Sequence, residues 1–254
     1  MTAVGNAQLD TSQKVFGTAS GLFDGTDDEL TTPDNADWSF GTGKFTLNAR
    51  IRLSSTGTHL IIGQINDATT FWGLAVNTTA SKITFASITG NSWDINVSIP
   101  ATLNVDTWYD IEIVRDGTTE GTWHMFLNGT EGTKTLAVGG YDGTILNGTG
   151  VLRIGTLDGN LAGDFNGHID ELRVSKGVAR HTANFTIPTT AFETDDDTQL
   201  LLHMDGTDSS TDFIDGDPAS GPANLKSING LAKASIKSRN GLAIGSIKSI
   251  NGLS

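Results

Sequence analysis

The chain has 254 residues, with 16 Lys+Arg against 29 Asp+Glu, a net charge of −13 and no Cys. That length holds one large all-β domain or two small ones around a real core, and the missing Cys excludes a disulfide scaffold and thiolate metal sites. No stretch approaches the roughly 18 apolar residues that span a bilayer, the start MTAVGNAQLD shows no signal-peptide pattern, and an acidic balance lacks the clustered cations that nucleic-acid phosphates require. Neither a membrane nor nucleic acid is an expected partner.

In chain order, period-two alternation or short apolar runs recur at residues 45–53, 59–64, 72–77, 82–89, 94–99, 108–115, 122–127, 150–155 and 167–175. Between them, Asn66-Asp67, Thr89-Gly90-Asn91, Asp116-Gly117, Asn128-Gly129 and Asp142-Gly143 supply the turn residues of hairpins. The apolar residues of 108–115 fall on both parities, which predicts a central strand buried on both faces. Residues 122–127 followed by Asn-Gly give the best single hairpin signal. This many short strands predicts a two-sheet sandwich, and residues 177–184 are the one plausible helical turn.

Charge is uneven along the chain. Residues 193–217 hold nine acids and no Lys or Arg, whereas residues 221–254 hold Lys226, Lys233, Lys237, Arg239 and Lys248 and no acid. Blocks of this kind are solvated faces or linkers, or else a cationic tail docks on an anionic body. Within the tail, Lys-Ser-x-Asn-Gly-Leu recurs every 11 residues, starting at Lys226, Lys237 and Lys248. Asn-Gly in each repeat vetoes a helix and predicts short strands, 231–238 and 242–249, joined at Asn-Gly turns. With too little apolar surface for a core, the tail is expected to be held by its own copies or by another protein.

Several strings carry a resemblance. They are Phe23-Asp-Gly-Thr-Asp-Asp-Glu-Leu30, Pro33-Asp-Asn-Ala-Asp-Trp-Ser-Phe40, Asp106-Thr-Trp-Tyr-Asp-Ile-Glu-Ile-Val-Arg-Asp-Gly117, Phe126-Leu-Asn-Gly129 and the run from Phe165 to Phe185 that contains Gly-His-Ile-Asp-Glu-Leu-Arg-Val. Over about residues 6–217 the chain resembles laminin-G-like domains of the concanavalin A-like jelly-roll superfamily. The 165–185 string is similar to the closing signature of such repeats in tailed-bacteriophage virion proteins and bacterial surface proteins. The resemblance implies an all-β, two-sheet antiparallel jelly roll over residues 1–217, and the charge switch and the repeats mark off a basic tail over 218–254. In the similar family a Leu-Leu-Leu-His-Phe/Met-Asp-Gly segment opens the domain, but here Leu200-Leu-Leu-His-Met-Asp-Gly206 stands at the other end. The domain therefore reads as circularly permuted. Its 200–206 strand either closes its own sheet, the favoured reading, or fills the slot of a neighbour.

No catalytic set is visible. The carboxylate pairs nearest to a glycosidase arrangement are Asp110/Glu112 and Asp170/Glu171, and neither supplies the pair flanking a scissile bond. The five His residues are scattered without ligand spacing, so no enzyme is expected. The resemblance implies a structural calcium at Asp170, approached by Asp24 or Asp205; the plainer alternative is that Asp170 accepts hydrogen bonds from a neighbouring turn. For a glycan, Trp72, Trp93, Trp123 and Tyr141 lie where an exposed stacking platform is feasible, whereas Trp38 and Trp108 fit positions that look like core. The expectation is a non-enzymatic virion protein (capsid decoration, head-fibre or tail-associated) on the virion exterior. Lys226, Lys237, Arg239 and Lys248 would anchor it to other virion proteins or to its own copies, with a trimer favoured. The alternative is a module or adhesin that recognises cell-surface polysaccharide.

Overall fold

A computed structural model describes residues 1–156 and 163–214, together with the backbone of 227–228, 231–232, 238–239 and 242–243. The body begins with β1 (Thr2–Val4), β2 (Gln8–Asp10), β3 (Ser20–Asp24), β4 (Glu29–Thr32), β5 (Phe45–Leu53) and β6 (Thr58–Asp67). It continues with β7 (Thr70–Asn77), β8 (Lys82–Thr89), β9 (Ser92–Pro100), β10 (Trp108–Arg115) and β11 (Trp123–Leu127). The remaining strands are β12 (Thr130–Glu131), β13 (Thr135–Gly139), β14 (Leu152–Ile154), β15 (Asn166–Lys176) and β16 (Thr198–Leu202). Two antiparallel sheets result, ordered β1-β4-β14-β6-β7-β8-β9-β13 and β12-β11-β10-β5-β15-β3-β2, with β16 added to β15. This is the two-sheet sandwich that the alternation predicted.

Inward residues of both sheets meet in one core. Phe45, Leu47, Ala49, Ile51 and Leu53 on β5 face Trp72, Leu74 and Val76 on β7 and Ile83 and Phe85 on β8, all nearly fully buried. Period-two alternation places each set on one side of its pleat, so the apolar area leaves water as a block. β10 lies between β5 and β11 and is buried over nearly its whole length, as predicted. Trp108 is a correction to the core assignment: it opens β10 half-buried, on the outer face, with its ring 6.3 Å from His168.

The long strand β15 organises the second sheet. One edge pairs with β5, while the other is shared by β3 at residues 166–169 and β16 at residues 172–175. Glu171 sits at the changeover with φ +50°, where the pairing with β5 shifts register, a bulge that re-aims the strand. Leu200, Leu201 and Leu202 pair with Val174, Arg173 and Leu172 of the same chain, so the displaced segment closes its own sheet.

The expected helical turn at residues 177–184 does not form. Residues 177–197 run without regular structure across the outer face of the second sheet as a strap. Side-chain anchors replace its missing backbone pairing: Arg180 makes a two-point bond to Asp195 at 2.8 Å each and donates to Ser175 Oγ at 2.7 Å. In the tail, Ser227–Ile228 (β17) pairs with Leu231–Ala232 (β18), and Ser238–Arg239 (β19) with Leu242–Ala243 (β20). These are two small strand pairs, the two strands of each standing before and after one Asn-Gly in the sequence, shorter than the expected strands and divided differently. Lys226, Lys237 and Lys248 lie outside the described residues, and Arg239 is described by its backbone alone.

Candidate functional site

Two of the expected sugar platforms are core residues. Trp72 and Trp123 are 1% and 0% exposed and belong to an aromatic cluster that spans both sheets. Trp72 stands 5.2 Å from Phe40 and 6.2 Å from Phe85, and Trp123 stands 5.8 Å from Phe45 and 5.6 Å from Phe85. Their indole N–H groups are also committed: Trp72 Nε1 donates to Gln64 and Trp123 Nε1 to the Tyr141 carbonyl at 2.9 Å. A buried, satisfied indole offers no face to a ligand. Tyr141 is partly buried against the same core.

Trp93 behaves differently and is 43% exposed. It stands at the start of β9, where Ile88 pairs with Trp93 while Ser87 pairs with Ile95. The extra residue, Asp94, turns Trp93 to the outer face even though Ile95, Val97 and Ile99 point inward. Asp94 Oδ2 fastens this bulge by accepting from Ser87 Oγ at 2.9 Å and Thr89 Oγ1 at 2.8 Å. Cross-strand pairing then aligns Ile65, Phe71, Ile88 and Trp93 in one apolar row on the outside of the first sheet. The next row is Gly63, Gly73, Ala86 and Asn96, whose small side chains keep the surface beside the indole flat. Polar groups rim the end of this row, where Asn91 N donates to Thr69 O and Gly90 N to Thr70 Oγ1. An exposed indole on a flat apolar strip beside hydroxyl and amide groups can stack a sugar ring and hydrogen-bond its edge.

The outer face of the second sheet carries charge instead. Pairing sets Asp110, Arg50 and Asp170 in one row across β10, β5 and β15, and Glu112, Asn48 and Arg173 in the next. Arg50 Nε lies 2.7 Å from Asp110 Oδ2, Glu112 accepts from Asn48 Nδ2, and Arg173 Nη2 donates to Asn48 Oδ1 at 3.1 Å. The strap covers these rows. His181 Nδ1 sits 2.9 Å from Glu112, the Pro188 carbonyl accepts from Arg50 at 2.8 Å, and the Arg173 guanidinium lies 4.1 Å over the Phe192 ring. Burial pushes the Asp110 carboxyl up to about 6 against the pull of Arg50, and burial brings Arg173 down to about 10. Asp110, Glu112 and Glu171 are at most 2% exposed, so the carboxylates nearest to a glycosidase pair are shut away from any substrate.

The three expected calcium ligands do not converge. Asp170 is fully buried, and its Oδ2 accepts from the backbone N–H of Val15 at 2.7 Å and Phe16 at 3.2 Å. This is the plainer alternative, a carboxylate capping a neighbouring turn. Asp205 caps the same loop further on, at Thr18 N and Oγ1. Asp24 pairs with Asn166, four residues along β15 from Asp170, or about 13 Å along a strand. Among the described residues no three His, Asp or Glu side chains gather to hold a metal ion, and the donor set does not fit calcium.

A family model described as the Concanavalin A-like lectin/glucanases superfamily matches residues 24–183. The chain belongs to that superfamily. No curated protein matches it. Among solved structures it is similar to domain 4 of a GH43 extracellular arabinanase from Geobacillus stearothermophilus, in complex with arabinotriose, at 14% identity and a TM-score of 0.51, covering 69% of this chain and 77% of that one. It is also similar to a putative carbohydrate binding protein from Bacteroides ovatus, at 17% identity and a TM-score of 0.51, covering 82% of this chain but only 52% of the other. At these identities the likeness is one of fold, and the superfamily jelly roll hosts both binding and catalysis.

Proposed function

We propose that the protein is a non-enzymatic carbohydrate-recognition module that stacks a sugar ring of a polysaccharide on Trp93. The observation that carries this reading is the bulge at Asp94, which turns one indole outward, 43% exposed at the end of an otherwise largely buried apolar row, while Trp72 and Trp123 are locked in the core. Superfamily membership supports the ligand class, as do structural neighbours of which one holds arabinotriose and another is named for carbohydrate binding. Recognition rather than hydrolysis is supported by the sealing of Asp110 and Glu112 beneath the strap, since an acid pair must reach both sides of a glycosidic bond. Affinity electrophoresis through gels cast with neutral polysaccharides tests the reading. The chain should be retarded by at least one polysaccharide, and Trp93→Ala should abolish the retardation without lowering thermal stability. Retention of full binding by Trp93→Ala would overturn the assignment.

A second reading, display on a virion exterior, is favoured by one observation: small paired strands recur with the 11-residue sequence period in a tail that carries five cations and no acid. Such a tail suits docking on an acidic neighbour or on its own copies. Deleting residues 221–254 should leave a folded body that no longer assembles, and unchanged assembly would reject the anchoring role.

A further inference from the structure

At the open edge of the second sheet, beside β11 and β12, lies a groove of about 660 Å³ lined by Glu120, Gly121, Glu131, Gly132, Lys134 and Asn184. Glu131, on its wall, is fixed from three directions. Its Oε1 accepts from Lys134 Nζ at 2.9 Å and lies 2.9 Å from His124 Nδ1, while its backbone N–H donates to Asn184 Oδ1 at 2.8 Å. Against burial, which raises it, the bonds from Lys134 and His124 hold the Glu131 carboxyl below its ordinary value. Two groups are left over. Glu131 Oε2 has no partner among the described residues, and with Asn184 Oδ1 committed, neither has Asn184 Nδ2.

An acceptor and a donor that line one groove suit two hydroxyls of a sugar, one giving its proton to the carboxylate and the other accepting from the amide. No ring floors this groove, so a sugar would enter edge-on rather than by stacking. The charges also choose among sugars. Glu120 and Glu131 face the groove, and the cation there, Lys134, is spent on Glu131, which disfavours carboxylated or phosphorylated ligands.

We propose that this groove is a second carbohydrate subsite that takes a neutral hexose edge-on, through two hydroxyls held by Glu131 Oε2 and Asn184 Nδ2. It rests on the reading of the protein as a carbohydrate-recognition module and adds a second point of attachment, on the other sheet from Trp93. Two weak subsites on one module would gain strength on a polymer that reaches both.

The test is amide chemical-shift mapping of the full-length chain, titrated with lactose, cellobiose and maltose and, separately, with glucuronate. The backbone amides of Gly121, Gly132 and Thr133 report on the groove, and those of Thr89, Gly90 and Asn91 report on the Trp93 face. At least one neutral disaccharide should shift the groove amides with saturation, and glucuronate should not. Glu131→Gln, which turns the acceptor into a donor, and Asn184→Asp, which keeps the acceptor for Glu131 N but removes the donor, should each weaken the groove response at least tenfold. Trp93→Ala should leave it unchanged. Groove amides that stay silent while the Trp93 face responds would overturn the subsite and leave the module's function standing. A groove response unaltered by Glu131→Gln, or equally strong with glucuronate, would also overturn it. Silence at both places would overturn the carbohydrate reading and the subsite together.

Discussion

Asp170→Asn should remove much of the pH dependence of stability. Burial pushes the Asp170 carboxyl up to about 7 from its ordinary 3.8, despite the two backbone N–H bonds from Val15 and Phe16. Its Oδ1 is buried without a partner. The unfolded chain ionises this group near pH 4, whereas the folded chain keeps it neutral to about pH 7. Its stabilising contribution is therefore fully present below pH 3.8 and is lost as the pH rises to 7. Between those values stability falls by about 1.4 kcal/mol per pH unit, or about 4 kcal/mol in all. Asn is neutral at every pH and keeps an oxygen to accept from the turn, so the variant should lack this slope. Urea unfolding at half-unit steps from pH 5 to pH 8 measures the effect. Near pH 5, where only the unfolded Asp170 is ionised, Asp170→Asn should already be the more stable by about 1.6 kcal/mol, because each folded protein holds a neutral group of similar shape. At pH 8 Asp170→Asn should be the more stable by several kcal/mol. Parallel profiles would refute the reasoning, because they would mean that Asp170 is ionised in the folded protein and balanced by a positive charge at that place.

Other perturbations separate core from surface and body from strap. Trp72→Ala and Trp123→Ala should each cost about 3–5 kcal/mol in chemical denaturation, the range for deleting a buried aromatic. Gly129→Ala should cost about 2 kcal/mol or more, because residue 129 has φ +73° and an added Cβ would stand 2.1 Å from the Phe185 carbonyl. Since Phe185 N donates to Gly129 O at 2.9 Å, limited proteolysis of that variant should cut within residues 177–197 sooner than in the parent chain.

Much of the fold is legible because turn chemistry and strand alternation agree. The ends of β5, β8 and β10 coincide with the expected segments. The turns that follow β8 and β11 hold positive φ at Gly90 and Asn91 and at Asn128 and Gly129, residues that accept left-handed backbone readily. The short edge strands β1, β2 and β12, with two or three residues each, are too brief for a period to show. The site is harder to read. Trp72 shares its parity with Leu74 and Val76, so its burial was implicit in the alternation that defined β7. Trp93 shares its parity with Ile95 and Val97 and would read as inward; a single extra residue reverses it, and nothing local in the sequence marks that bulge. The strap is invisible for another reason. Its anchors Arg180, His181 and Phe192 bind Asp195, Glu112 and Arg173, and all but the first of these contacts reach residues on separate strands. Polar residues in a loop signal solvent unless the sheet beneath them is known to be charged.

Hydrogen–deuterium exchange of the full-length chain, with and without the neutral polysaccharide that retards it most, is the most direct test of where recognition occurs. Ligand should slow exchange in residues 69–73 and 86–94 and leave residues 108–115 of the opposite sheet unaltered. Protection concentrated along residues 108–115 and 177–192, with none near Trp93, would mean that the ligand displaces the strap and that the exposed indole is not the platform.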